Sequence, residues 1–167
     1  FLPFLLAVTL HEAGHLLALR CMRVQVHKVS FQLTGAVIHT QPLRYPQEVL
    51  AAAAGPLVNL LCTLAFLHKN PAFALVNLLL LFFNLLPFYP LDGGRILRAL
   101  LHMLLNDAAA CIAEKLISGV CLTAVAACAV YLTCVWHAGP WPILLCVLLI
   151  LRAVETSLPP SGRRARI

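Results

Sequence analysis

At 167 residues the chain has the length of one domain. It is 62% hydrophobic and 11% charged, with a mean hydropathy of +0.92, where a soluble domain carries about 25% charged residues; this excludes an ordinary water-soluble domain and makes lipid the solvent for most of its surface. The net charge of +6 comes from 12 Lys and Arg against 6 Asp and Glu, but the basic residues lie between apolar runs and at the C-terminus, not in a stripe interleaved with aromatics, so no nucleic-acid partner is expected.

Five apolar runs follow one another at roughly 1–19, 48–67, 71–88, 113–136 and 141–154. A bilayer crossing takes about 20 residues. The expected fold is therefore all-α and polytopic, with about five transmembrane helices. The first run lacks a basic leader and holds His11 and Glu12 in its middle, which argues against a signal peptide. A further helix could precede it. Arg20, Arg23, Lys28 and Arg44 follow the first run, Arg95, Arg98 and Lys115 follow the third, and Arg163, Arg164 and Arg166 follow the last. Lys and Arg mark cytoplasmic connections, so these segments are assigned to the cytoplasm of a multi-pass integral membrane protein. Residues 1–156 read as one membrane domain. Residues 157–167, with two prolines, a glycine and three arginines, read as a basic, disordered tail.

One segment breaks the apolar pattern. Val29, Phe31, Leu33 and Val37 share one parity, whereas Val24 and Val26 have the other. Period-two alternation predicts a small membrane-associated β-hairpin or sheet at about 24–40, with a turn or bulge near His27–Lys28. It is either a plain cytoplasmic hairpin or an edge on which an extended substrate pairs.

The chemical signal is His11-Glu12-Ala13-Gly14-His15 in the first run. On a helix, positions i and i+4 share a face, so both imidazoles can reach one ion. Zinc is the metal this pattern suits, and Glu12 stands where it can take a proton from water activated there. The plainer reading is two core-facing histidines beside an accidental glutamate. Ionisable side chains in a membrane helix are costly, however, and three together point to function.

A catalytic zinc site takes three protein ligands and leaves one position open. The chain has two aspartates, Asp92 and Asp107. Asp92 stands in Asn84-Leu85-Leu86-Pro87-Phe88-Tyr89-Pro90-Leu91-Asp92-Gly93-Gly94, where prolines and glycines interrupt the helix. Interrupted backbone at membrane depth belongs where it is buried in protein or lines a wet cavity, a fitting place for a ligand. Alternatively, Asp92 caps a helix over 93–105. Glu114 and Glu155 are the other carboxylates that could supply a third ligand to a different kind of membrane zinc protease.

His-Glu-x-x-His in a first hydrophobic helix, then Ala54-Gly55-Pro56-Leu57-Val58-Asn59, then Asn84-x-x-Pro87 with Leu91-Asp92-Gly93-Gly94, resembles the site-2 protease family of intramembrane zinc metalloproteases. Compactness and a cytoplasm-facing site resemble its bacterial stage IV sporulation protein FB branch. The resemblance covers roughly residues 5–110. It implies one zinc ion per chain held by His11, His15 and Asp92, with Glu12 as catalytic base. It also implies a membrane-associated protein substrate, cut in or next to its membrane segment to release a transcription or sigma factor. Membrane-protein inhibitors or regulators are implied partners, and the bacterial cell membrane the implied location.

Asn59 is polar in an apolar helix. It could hold substrate backbone or the developing oxyanion, or it could make an interhelical hydrogen bond where Ala51 and Gly55 permit close packing. Asn84 could support Asp92 or brace the interrupted helix. A different class of function, a non-catalytic membrane scaffold that retains a metal site, is the alternative to the protease, and the presence of Glu12 argues against it.

Overall fold

A computed structural model describes residues 2–24, 26–32, 35–40, 43–137 and 139–157. In chain order the elements are α1 (Leu2–Cys21), β1 (Val26–Gln32), β2 (Gly35–Thr40), α2 (Tyr45–Phe66), α3 (Pro71–Asn84), α4 (Asp92–Leu104), α5 (Asp107–Cys134) and α6 (Trp141–Ser157). The strands β1 and β2 pair antiparallel, and their register slips between Val26 and Lys28. The basic tail expected at 157–167 lies, beyond Ser157, outside the described residues.

Three helices are long and apolar enough to cross a membrane: α1, α2 and α5. The expectation of about five is corrected to these three among the described residues. The run at 71–88 becomes a helix of 14 residues, about 21 Å long against a hydrocarbon core of about 30 Å. Its helix stops at Asn84, because the chain turns through Leu85–Leu91 and Pro87 and Pro90 cannot continue a hydrogen-bonded ladder. The last run gives only the short apolar stretch Trp141–Leu151. The fourth run is part of a longer helix that starts at Asp107, where the Asn106 side chain accepts from the Ala109 N–H at 2.9 Å. Capping there satisfies an N–H that the first turn would otherwise leave open.

Exposure is inverted relative to a water-soluble protein. Leu2, Leu17, Leu50, Leu64, Phe82, Leu116 and Val120 are exposed, while His11, His15, Asn59, Thr63, Asn77 and Asp92 are buried. Apolar surface outside and polar groups inside is what lipid selects.

The second helix is the central pillar and touches α1, α3 and α4. Its buried residues are Ala51, Ala52, Gly55, Pro56, Asn59 and Thr63. Recurring about every four residues, these form one narrow stripe of small or short side chains, which lets three helices approach one backbone. The first helix buries Ala7, His11, Gly14, His15 and Leu19 on the matching face. A Cβ on Gly14 would stand 2.8 Å from Val58 and 2.9 Å from the Ala54 carbonyl oxygen; the bare glycine is what seats α1 against α2.

Candidate metal centre

The i, i+4 spacing puts His11 and His15 on the buried face of α1, 5% and 6% exposed. The third group comes from beyond the turn. Leu85–Leu91 folds back over the start of α4, and Gly93 and Gly94 make this possible. A Cβ on Gly93 would collide with the Leu85 and Leu86 carbonyls, and one on Gly94 with the Phe88–Tyr89 backbone. Phe88 is buried beside them and pins the turn. Asp92 is thereby delivered to the imidazoles in the first turn of α4. The cap of α4 is Leu91, and no side chain bonds there, so the capping alternative for Asp92 does not hold.

His11 Nε2 lies 3.1 Å from His15 Nε2, and Asp92 Oδ2 lies 3.1 Å from the first and 3.2 Å from the second. The opposite ring nitrogens are both engaged. His15 Nδ1 donates to the Ala51 carbonyl oxygen at 2.8 Å, and His11 Nδ1 meets the Asn59 side-chain oxygen. A neutral ring with its proton on Nδ1, which both contacts accommodate, turns a bare Nε2 lone pair inward. Asp92 Oδ2 is buried with no hydrogen-bond partner. In that state three electron-pair donors converge, an arrangement that suits a cation.

The triangle also fits a particular ion. Ligands about 2.0–2.1 Å from a tetrahedral zinc stand roughly 3.3–3.4 Å apart, close to the three separations here. Two imidazoles and a carboxylate are a zinc donor set that leaves one position for water or substrate. Gly55 forms the floor: a Cβ there would run into His15 Nε2 and stand 2.6 Å from His15 Cε1 and 2.7 Å from His11 Cε1.

The remaining polar groups arrange themselves around this centre. The second oxygen of Asp92 faces Arg95 Nη1 at 3.6 Å, and Arg95 Nε faces Glu48 at 3.9 Å, which links α4 to the first turn of α2. Glu12 is half-buried and enters no ion pair among the described residues. Asn59 bonds to His11, the interhelical option of the two open to it. Asn84 donates to the Leu80 carbonyl of its own helix at 3.0 Å, and no hydrogen bond to Asp92 is present. Glu114 faces Arg98 across α4 and α5 at 3.9 Å. Asn77, not singled out from the sequence, is fully buried and donates or accepts through both amide atoms. Its signal was the same as that of Asn59, an amide in an otherwise apolar helix.

Comparison with known proteins agrees in part of the chain and in the whole fold. The model of Peptidase family M50 matches residues 64–128, a span that includes Asp92 but not His11 or His15. Zinc metalloprotease MJ0392 of Methanocaldococcus jannaschii is 32% identical over 114 residues, covering 60% of this chain and 34% of that protein. Stage IV sporulation protein FB of Bacillus subtilis is 31% identical over 111 residues, covering 58% of this chain and 38% of that protein. The chain thus spans little more than a third of the length of these relatives. The solved structure of a site-2 protease from Methanocaldococcus jannaschii superposes with a TM-score of 0.70 at 23% identity, over 100% of this chain and 81% of that one; at that identity the likeness concerns the fold.

Proposed function

From the premise that the chain carries a Peptidase family M50 domain, the domain of the site-2 proteases, we propose that it is an intramembrane zinc metalloprotease with one zinc ion per chain. The observation that carries this reading is the convergence of His11 Nε2, His15 Nε2 and Asp92 Oδ2, with the last left without any hydrogen bond.

When bound, zinc supplies the Lewis acidity that polarises a peptide carbonyl and acidifies a water. The chain's own residues do the rest. His11 and His15 keep their Nε2 lone pairs aimed together, because Ala51 and Asn59 hold the other ring nitrogens. Asp92 adds the negative charge, and Arg95 near its second oxygen limits that oxygen's freedom. Glu12, adjacent to His11, takes the proton from the attacking water and returns it to the leaving amine. Gly55 keeps the floor of the site open.

The substrate is a membrane-associated protein cut in or beside its membrane segment. A helix hides its carbonyls in its own hydrogen bonds, so the substrate must arrive extended, and the β1–β2 pair offers it an edge. Release of a transcription or sigma factor in a bacterial cell membrane, under the control of membrane-protein inhibitors, fits the relatedness to stage IV sporulation protein FB. Arg20, at the end of α1, lies five residues past His15, about 7.5 Å along a helix. Together with Arg23, it favours a cytoplasmic opening.

Elemental analysis of the detergent-purified protein beside Asp92→Ala tests the centre. One zinc per wild-type chain and a severe loss in the variant are expected. A well-folded wild type without zinc would return both histidines to a purely structural role.

A further inference from the structure

Asn77 sits in the middle of α3, out of reach of any role in holding the metal, yet it is fully buried. Its amide nitrogen donates to the Phe73 carbonyl oxygen at 2.9 Å. Its oxygen accepts from the Asn59 amide at 2.9 Å. The Asn59 oxygen in turn meets His11 Nδ1.

This chain of bonds has only one polarity. A backbone carbonyl can accept but never donate, so Asn77 must turn its NH2 toward Phe73 and its oxygen toward Asn59. Asn59 must then turn its NH2 toward Asn77 and its oxygen toward His11. That oxygen can only accept, so His11 Nδ1 carries the hydrogen and the neutral ring keeps its lone pair on Nε2, the atom 3.1 Å from Asp92. Asn59 alone does not dictate this. Without Asn77 its amide could turn over and offer NH2 to Nδ1, which would leave the proton on Nε2, where a metal must bind. His15 needs no such relay, because its partner is the Ala51 carbonyl itself.

We propose that Asn77 is a positioning residue: it locks the orientation of the Asn59 amide and, through it, the one tautomer of His11 that can ligate a metal. Its consequence for zinc rests on the metal-centre reading; the tautomer itself does not.

The test uses the full chain in detergent, as wild type, Asn77→Leu, Asn77→Asp and the double variant Asn59→Asp/Asn77→Leu. Ring nitrogen-15 shifts of metal-free protein, with His11 assigned by a His11→Gln spectrum, report the tautomer. Competition against a chromophoric chelator reports zinc affinity. Wild type shows Nδ1–H. Asn77→Leu gains the Nε2–H form and binds zinc roughly 10–100-fold more weakly. Asn77→Asp keeps the acceptor and, protonated, the donor, and stays near wild type. In the double variant, Asp at 59 is ionised against the His11 Nδ1–H and so has no donor end to misplace, and both the tautomer and the affinity recover. Should Asn77→Leu fail to fold, Asn77→Ala replaces it with the same expectations. An unchanged tautomer in the Leu or Ala variant, equal weakening in Asn77→Asp, or no recovery in the double variant overturns the proposal. A wild type that binds no zinc while the variant still switches tautomer upholds the relay and removes the metal reading instead.

Discussion

The two halves of this chain meet lipid in different ways. From α1 to α4 the helices close on a shared polar interior, and the residues at each crossing are small: Gly14 against Ala54, Gly55 against two imidazoles, Gly93 and Gly94 under a folded-back turn. From α5 onward little is enclosed. The candidate span in α5 is 6% buried, against 33% for α2, and a Cβ on Gly119 would meet nothing within 4 Å. Lipid tails are as apolar as leucine, so helices gain little by merely hiding apolar surface from them. Close packing and polar bonds are what specify an arrangement, and these are concentrated where the chemistry is.

Substitutions at matched positions in the two halves should break or sharpen this contrast. Glu12→Gln should remove cleavage of a membrane substrate by about 10²–10⁴-fold while elemental analysis still finds zinc; persistent cleavage would remove Glu12 from the proton path. Gly55→Ala should lower zinc affinity at least about tenfold, because the new methyl displaces both imidazoles, and should cost about 1–3 kcal/mol in unfolding measurements. The same change in the outer half, Gly119→Ala, should stabilise by roughly 0.5–1 kcal/mol through helix propensity and leave zinc untouched. Opposite signs from one substitution would fix the boundary between the halves; equal signs would dissolve it.

How much of this was legible in the sequence depended on whether the signal was local. The spacing of His11 and His15 is fixed by one helical turn, and Asp92 stood out because a carboxylate beside prolines and glycines has few reasons to lie in an apolar context. The structure brings these three together. The number of spans was not legible, since hydropathy runs smoothly from Pro71 through Phe88 and does not register where the ladder ends at Asn84. The start of α5 was hidden for the opposite reason: Asp107, Glu114 and Lys115 look unlike membrane sequence, yet they occupy its first turns. Asn59 is marked by its motif, with two roles open to it. Asn77 had the same intrinsic signal and no motif, and only its contacts through Asn59 give it meaning.

One consequence concerns variation among descendants of this chain. The two imidazoles are oriented by supports of different heredity. His15 leans on the Ala51 carbonyl, which every amino acid at that position would supply as long as the helix persists. His11 leans on Asn59 and, behind it, Asn77, two side chains that single nucleotide changes can erase. Beside His15, drift should therefore be limited by packing alone, since any residue small enough for the crossing keeps the carbonyl; beside His11 the hydrogen bond itself is at stake, and it is through the asparagine arm that mutation can grade the hold on the proposed metal without touching a proposed ligand.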